Sequence, residues 1–249
     1  MSQIAQTQIS QIKEEGSNLK NLYKAAAVAV LISVCLMLLD IAVSILSKET
    51  TEFGALSATD WFAIFRGNWF SGLRNLGILN MFELILAIPM LFAIYVTHRN
   101  MSKLLVAFAI VLSLVGTAAY IANNAAIPMF VLSGKYRAAT NDAQRSLIAA
   151  AGEAILARGE DFTPGAFPGF ILGELATLAI AFVMLRGRIF TRAAAWIGMI
   201  GIGLLSVYTI LATFFPASSS LNMLVAMLGG TMSTVWYILI AVKLFQLGK

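Results

Sequence analysis

The stretch YIANNAAIPMFVLSGKYRAATNDAQRSLIAAAGE, residues 120–153, is the part of the sequence that most constrains the fold. Its pattern of residues differs from that of an ordinary membrane-spanning helix. A hydrophobic run ends there in the pair Asn123 and Asn124, Pro128 follows, and the sequence becomes polar after Tyr136. About 20 residues of helix at 1.5 Å each span the roughly 30 Å of membrane hydrocarbon. Counted from the basic end of the run, this rise places the Asn pair near one membrane surface. The helix then either projects beyond the membrane or breaks between Asn123 and Pro128 and folds back.

A second, amphipathic helix is predicted after this break. Thr140 or Asn141 can cap its start, and Gly159 is a natural end. Its modest apolar side would pack on the outer face of a bundle, and its charged side would face water. We expect Leu147 or Ile148, Ala151 and Ile155 on the apolar side, and Arg145, Glu153 and Arg158 toward water.

The composition identifies an integral membrane protein. Of 249 residues, 59% are hydrophobic and 12% are charged, and the mean hydropathy is +0.85. The net charge of +5 does not indicate nucleic-acid binding, because the basic residues cluster beside hydrophobic runs, where they orient helices and contact lipid headgroups. We therefore predict an all-α, polytopic bundle with one interfacial aromatic helix and one extracytoplasmic amphipathic helix.

Six membrane spans are predicted within one membrane domain, residues 22–249, that follows a polar cytoplasmic tail at residues 1–21. Pro89 is expected to kink the second span, and His98, just beyond that span, is expected to be solvated. The predicted outer segments are residues 48–74 and 133–167. The spans are residues 22–47, 75–96, 103–123, 168–185, 193–215 and 221–244.

Basic residues in the short loops predict the orientation. Arg99 and Lys103 flank one turn, a second turn contains Arg186, Arg188 and Arg192, and the turn at residues 216–220 has no basic residue. Positively charged short loops favour the cytoplasmic side. We therefore expect a multi-pass protein of the cell membrane with both termini in the cytoplasm.

Aromatic residues spaced four apart mark the first outer segment. Trp61, Phe65 and Trp69 would share one side of a short helix, which Ser57 or Thr59 can cap. Because aromatic rings favour the headgroup level, we expect these three rings to anchor a helix lying on the membrane. The alternative is that this segment forms a lid over a site.

Acidic side chains inside the predicted spans are the candidate functional groups. Ionised carboxyl groups are costly in hydrocarbon and normally face the bundle interior, a partner or a water-filled cavity. The helical rise places the acids in the outer half of the bundle, where they could form an outward-open polar vestibule with nearby amides. The alternative is that each acid only holds helices together. The candidate residues are Asp40, Asn80, Glu83, Asn123, Asn124, Glu174 and Asn222.

Enzymatic motifs are absent from the sequence. It contains no phosphate-binding loop, zinc-ligand cluster, nucleophile elbow or dinucleotide fingerprint, and it has a single histidine. We predict no catalytic residue, no metal site and no cofactor. The expected partners are membrane lipids, with a further membrane protein or a second copy of the chain as possibilities and no nucleic acid.

Two runs carry a resemblance to a known family: NNAAIPMFVLSGKYRAATNDAQRSLIAAAGEA, starting at Asn123, and MLRGRIFTRAAAWIGMIG after the next span. They resemble a bacterial family of small polytopic membrane proteins catalogued as a domain of unknown function. The resemblance covers most of the chain from the first span onward and is strongest from Asn123 to Gly203. It implies a six-span bacterial membrane protein without an established reaction, so no functional residue carries over.

Three hypotheses for function follow, in order of preference. The first is an accessory or lipid-interacting component of the bacterial cytoplasmic membrane. The alternative is a transporter or channel-like protein for a cation, proton or small amphipathic solute, and the third is a membrane-embedded hydrolase, which lacks a recognisable catalytic motif. Convergence of Asp40, Glu83, Asn123 and Glu174 on one water-accessible cavity would favour transport over the accessory role.

Overall fold

The protein is all-helical wherever the computed structural model describes it, over residues 2–47, 56–216 and 219–249. Residues 48–55 of the predicted outer segment 48–74, and residues 217–218 of the turn 216–220, lie outside the described residues. The helices in these ranges are α1 (Ser2–Ser47), α2 (Ala58–Gly67), α3 (Trp69–Asn75), α4 (Ile78–Asn123), α5 (Ala126–Ala138), α6 (Asp142–Gly159), α7 (Phe167–Gly187), α8 (Arg192–Phe214) and α9 (Ser219–Leu247).

The predicted class, a polytopic helical membrane protein, is confirmed. Among the described residues, 5 helical stretches are long and apolar enough to cross a membrane. They are Gly16–Val43, Ile78–Ala138, Phe167–Gly187, Arg192–Phe214 and Ser220–Leu247. Helix α1 begins at Ser2, well before the predicted first span, so the polar tail continues the same helix.

Helix α4 doubles back on itself. Its 46 residues would extend about 69 Å if straight, more than twice the membrane thickness. The backbone leaves helical geometry at Ser102, with φ −146° and ψ 47°, whereas Pro89 lies within the first half. The Tyr120 hydroxyl lies 3.2 Å from the Gly77 carbonyl oxygen. The halves, residues 78–101 and 103–123, therefore run side by side.

The long helices form a closed ring. Each packs on the next in the order α1, α4, α7, α8 and α9, and α9 returns to α1. A continuous apolar core fills the ring toward the end that carries Arg99, Lys103 and Arg192. Its largest fully buried side chains include Met90, Ile94, Ile180, Met184, Trp236, Ile240 and Leu244.

The four short helices form a cap at the other end of the bundle. Helix α5 packs on α2, α3 and α6, and a second hydrophobic cluster joins these elements. The chain breaks at Asn124, whose φ of −50° and ψ of 129° separate α4 from α5. Asn141 caps α6 by accepting a hydrogen bond from the Gln144 amide, and α6 ends at Gly159, as predicted. The Glu153 carboxylate caps α2 through a 2.7 Å hydrogen bond from the Ala58 amide, so Glu153 has a structural partner as well as contact with water.

The prediction of one anchoring face for Trp61, Phe65 and Trp69 is wrong. Helix α2 ends at Gly67, and Asn68 caps a new helix by accepting hydrogen bonds from the Phe70 and Ser71 amides. Trp61 and Phe65 are buried in the cap, whereas Trp69 is 58% exposed. The spacing correctly grouped Trp61 with Phe65, but α5 and α6 pack over these two rings, so Trp69 alone of the three is largely exposed.

The expectation that His98 is solvated is also wrong. Its ring is fully buried, stacks on Phe190 at 5.8 Å between centroids, and contacts Gly187. The Nδ1 atom lies 2.7 Å from the Thr97 hydroxyl oxygen and 3.1 Å from the Ile94 carbonyl oxygen. His98 therefore fastens the turn between α7 and α8 to α4.

Candidate functional site

The ring of long helices contains a chamber of about 190 Å³. All five helices of the ring, α1, α4, α7, α8 and α9, contribute to its wall. Most lining side chains are apolar, and the apolar core closes the chamber toward the basic end of the bundle. The chamber is thus a small, largely apolar space in the middle of the membrane-spanning part.

Three predicted vestibule residues do meet in this chamber. Asn80 and Glu83 from α4 and Glu174 from α7 all line it, as do the hydroxyl-bearing residues Ser33, Ser113, Thr177 and Tyr237. Both acids lie inside an apolar span with a polar residue one helical turn away, which is the sequence pattern that made them candidates.

The two chamber carboxyl groups have unused hydrogen-bonding capacity. The Oε1 atom of Glu174 accepts a 2.6 Å hydrogen bond from the Thr209 hydroxyl of α8. Its Oε2 atom is buried and has no hydrogen-bond partner among the described residues. Glu83 forms no hydrogen bond or ion pair with any described side chain or backbone group. A ligand that donates hydrogen bonds or carries positive charge would satisfy both groups.

A buried polar cluster lies between the chamber and the cap. The Asn80 amide donates a 2.7 Å hydrogen bond to Oδ2 of Asp161, and the Tyr120 hydroxyl donates one of 2.6 Å to Oδ1. Asp161, in the loop between α6 and α7, and Tyr120 are both buried. Since Asn80 also lines the chamber, this cluster connects the chamber wall to the loop of the cap.

Gly77 and Asn124 complete the polar cluster. Gly77 has a φ of 82°, and a Cβ atom at this position would collide with the Tyr120 hydroxyl and the Asp161 carboxylate. Asn124 donates hydrogen bonds of 3.0 Å to the Leu76 carbonyl and 3.3 Å to the Tyr120 hydroxyl, and it accepts one of 3.1 Å from the Ala126 amide. Glycine at position 77 is therefore required both by the backbone conformation and by the close approach of the cluster.

Aromatic rings form the roof of the chamber beside this cluster. Phe170 lines the chamber and packs edge-on against Tyr120 at 4.9 Å between ring centroids. Phe162 stacks on Phe170 at 5.3 Å and contacts Tyr208 at 4.9 Å. Phe162 has a φ of 59°, in the left-handed region that a bulky side chain rarely adopts. The loop between α6 and α7 thus has a strained backbone at Phe162, and this conformation places the Phe162 ring on Phe170.

Burial controls the ionisation of Asp161. Removal from water raises the pKa of the Asp161 carboxyl group to about 6. The hydrogen bonds from Tyr120 and Asn80 act in the opposite direction, because they stabilise the carboxylate, and the charge of Asp40 adds a small increase. Asp161, which lies in a loop outside the membrane-spanning segments, therefore changes its charge close to neutral pH.

The other predicted vestibule residues lie outside the chamber lining. Asp40 forms a 3.3 Å ion pair with the buried Arg74. Asn123 accepts a 2.8 Å hydrogen bond from Nε of Arg158, and the Asn222 amide lies 3.4 Å from the Phe215 carbonyl oxygen. Together with Asn124, these residues hold loops and helix ends in place. A single vestibule containing all seven predicted residues is therefore not formed.

Asp161, Tyr120 and Gly77 were missed by sequence reasoning. Asp161 lies in the polar run RGED, which is typical of a solvated loop, and Tyr120 lies in an apolar run where an aromatic residue is ordinary. The one sequence signal for the polar cluster was the position of Gly77 between two helical patterns. It indicates a turn but does not show which residues contact that turn. Among the described residues, no group of three or more His, Cys, Asp or Glu side chains is placed to hold a metal ion.

Comparison with curated proteins and with solved structures gave no match. A family match covers residues 59–242, and this range includes most of the cap, the chamber residues of α4, α7, α8 and α9, and the polar cluster. The predicted resemblance to a family without an established function is confirmed. The chain belongs to the family described as a domain of unknown function (DUF4386).

Proposed function

We propose that this membrane protein binds a small amphipathic cation in the central chamber and carries it across the membrane, with a proton as the competing occupant. The observation behind the proposal is that Glu83 and Glu174, two of the four residues expected to converge in a transporter, come from different helices and line one chamber. The other two, Asp40 and Asn123, contact Arg74 and Arg158 instead. An acid that lines an apolar cavity inside a membrane bundle is a functional-site candidate by default, because its ionised form is costly there without a counter-charge. A cation or a proton supplies that charge.

The chamber's size and lining define the class of solute. A volume of about 190 Å³ lies below the roughly 300–1,000 Å³ of typical drug-sized pockets, so the occupant is small. The apolar wall fits an alkyl group, and the two carboxyl groups fit an ammonium group, which is a hydrogen-bond donor without acceptor capacity. Short alkylammonium ions combine these features.

Transport requires the chamber to open in turn toward each side of the membrane. The apolar core lies between the chamber and the basic end of the bundle, and Phe170 and Asn80 line the chamber on its cap side. The hydrogen bond from Asn80 to Asp161 connects this roof to the loop between α6 and α7. We infer that opening toward the cap side begins with separation of Asn80 from Asp161.

The packing interpretation makes a different prediction. The 2.6 Å hydrogen bond between Thr209 and Glu174 joins α8 to α7, which is what a purely structural acid would do. If the acids only hold helices together, adding a cation should not stabilise the folded protein. Thermal unfolding of the purified protein with methyl-, propyl- and butylammonium therefore tests the proposal, because a ligand that binds the folded state raises the unfolding temperature.

We expect saturable stabilisation that Glu83→Gln and Glu174→Gln each remove. Glu14→Gln is the matched control, since Glu14 is exposed on α1 outside the chamber. Equal stabilisation of the wild-type protein and both chamber variants would show that the carboxyl groups do not bind the cation.

The accessory, lipid-contacting role is the second candidate. It is favoured by apolar side chains that the cap exposes rather than buries: Trp69 at 58%, Ile127 at 52% and Leu147 at 73%. A cap of this kind offers contact area to lipid or to another membrane protein. The membrane-embedded hydrolase is not proposed, because no observation among the described residues favours it over the other two functions.

A further inference from the structure

We propose that a basic groove on the cap binds the anionic headgroup of a membrane phospholipid. The groove, formed by α2 and α5 beside the start of α6, has a volume of about 540 Å³. Three arginines line it, Arg66 from α2, Arg137 from α5 and Arg145 from α6. Because Arg66 comes 71 positions before Arg137 in the sequence, the fold of the cap brings its charge to the other two.

The three guanidinium groups keep most of their capacity for an anion. Arg66 and Arg137 form no ion pair with any described residue. Arg145 lies 3.5 Å from Asp142, but the two side chains are 48% and 98% exposed, so solvent screens this pair. Three like charges around one groove repel one another, and a bound phosphate group would relieve this repulsion while accepting paired hydrogen bonds from guanidinium donors.

The groove also has an apolar side that a free anion would not use. Phe62, Phe65, Phe130 and Val131 line it beside the arginines. Phe130 and Val131 are 44% and 49% exposed, and the neighbouring Ile127 extends this apolar strip along α5. A ligand with an anionic head and an acyl chain matches both sides of the groove, so the occupant is a phospholipid rather than inorganic phosphate.

The position of α5 favours the same occupant. This helix follows the second half of α4 after a short break at Asn124, so it begins where a membrane span ends. Basic residues near the membrane surface attract anionic headgroups, by about 1 kcal/mol for each Lys or Arg. The groove shares no lining residue with the central chamber. The proposal therefore gives the lipid-contacting role a defined site and does not depend on cation transport.

Native mass spectrometry of the purified protein with short-chain phosphatidylglycerol, phosphatidylcholine or inorganic phosphate tests the assignment. We expect preferential retention of phosphatidylglycerol. Arg66→Gln, Arg137→Gln and Arg145→Gln should each weaken it about fivefold, as expected for the loss of one cation near an anionic headgroup. The triple variant should retain no more phosphatidylglycerol than phosphatidylcholine.

Two further variants separate a defined groove from general surface charge. Lys135→Gln removes an exposed cation from α5 that lines a different depression, beside Gln144 and Leu147, and it should leave retention unchanged. Gly134→Trp fills the groove without changing its charge, since Gly134 lines the groove and has open space at its Cβ position. This variant should reduce lipid retention although all three arginines are present.

Several results would overturn the assignment. Unchanged phosphatidylglycerol retention in the triple arginine variant would exclude the groove. A loss in Lys135→Gln as large as that in the arginine variants would indicate unspecific charge attraction. Inorganic phosphate that binds as tightly as the lipid would show an anion site without a lipid. Circular dichroism and thermal unfolding of every variant would establish that the fold is intact, as expected for exposed positions.

Discussion

The Tyr120 hydroxyl donates a 2.6 Å hydrogen bond to the Asp161 carboxylate, which lies 41 positions later in the chain. This contact joins the end of a membrane span to the loop that covers the central chamber. Both partners are buried, and hydrogen bonds to a buried charged acceptor are among the strongest in proteins. The bond between Tyr120 and Asp161 is therefore a main connection between the bundle and its cap.

Tyr120→Phe should destabilise the protein by about 1.5–3 kcal/mol, because it removes a donor to a buried carboxylate while preserving the ring. The edge-on contact with Phe170 should remain, so the loss reports the hydroxyl group alone. Thermal and denaturant unfolding in the same detergent measure the change. Tyr95→Phe is a matched control outside the polar cluster, and an equal loss in that variant would contradict a special role for Tyr120.

The stability of the cap should depend on pH through Asp161. Its pKa rises from the ordinary 3.8 to about 6 in the folded protein, so the folded state binds the proton more tightly than the unfolded state. The resulting stabilisation is complete below about pH 4 and is lost as the pH rises through 6, a change on the order of 3 kcal/mol. Hydrogen exchange in residues 160–166 should therefore quicken between pH 4 and 7 beyond its intrinsic pH dependence.

Asp161→Asn should remove this pH dependence. Tyr120→Phe should instead shift it to higher pH, because the lost hydrogen bond favours the ionised carboxylate. If protection from hydrogen exchange in residues 160–166 has the same pH dependence in the wild-type protein and in Asp161→Asn, Asp161 is not the group responsible.

Gly77→Ala should be among the most damaging single-methyl changes in the chain. The left-handed φ of 82° costs a non-glycine residue about 1–2 kcal/mol, and the new Cβ atom would collide with Tyr120 and Asp161. Overpacking adds typically 1–3 kcal/mol. Gly203→Ala is the control, because open space surrounds that position inside α8. Similar unfolding temperatures for the two variants would show that the polar cluster tolerates displacement.

The cap should lie outside the cell and the break in α4 in the cytoplasm, with six crossings between them. In a Cys35→Ser background, Leu147→Cys in α6 and Met101→Cys beside Ser102 offer exposed positions at opposite ends of the bundle. A membrane-impermeant maleimide should label Leu147→Cys in intact cells and Met101→Cys only after permeabilisation. The reverse pattern would show that the basic loops do not set the orientation.

Local patterns predicted what depends on neighbours in the sequence. Hydropathy identified the helical membrane class, and the residues around Asn141 and Gly159 gave both ends of α6. Helical rise placed Glu83 and Glu174 in the outer half of the bundle, which is why both were candidate residues.

Contacts between distant segments could not be predicted in the same way. The spacing of Trp61 and Phe65 showed that they share a face, but α5 and α6, which cover them, come more than 60 residues later. His98 beside Arg99 resembles a solvated helix end until Phe190 from another turn stacks on it. Asp161 resembles an ordinary loop acid until the loop folds onto Asn80 and Tyr120.

Cation flux into reconstituted vesicles shows whether Glu83 and Glu174 form the cation site of a transporter. Radiolabelled methylammonium uptake would be measured with an imposed membrane potential for the wild-type protein, Glu83→Gln, Glu174→Gln and the exposed control Glu14→Gln. We expect saturable uptake by wild type and Glu14→Gln, and at least a tenfold loss in each chamber variant at unchanged thermal stability. Wild-type uptake no faster than in protein-free vesicles, or stable chamber variants with wild-type uptake, would contradict this expectation.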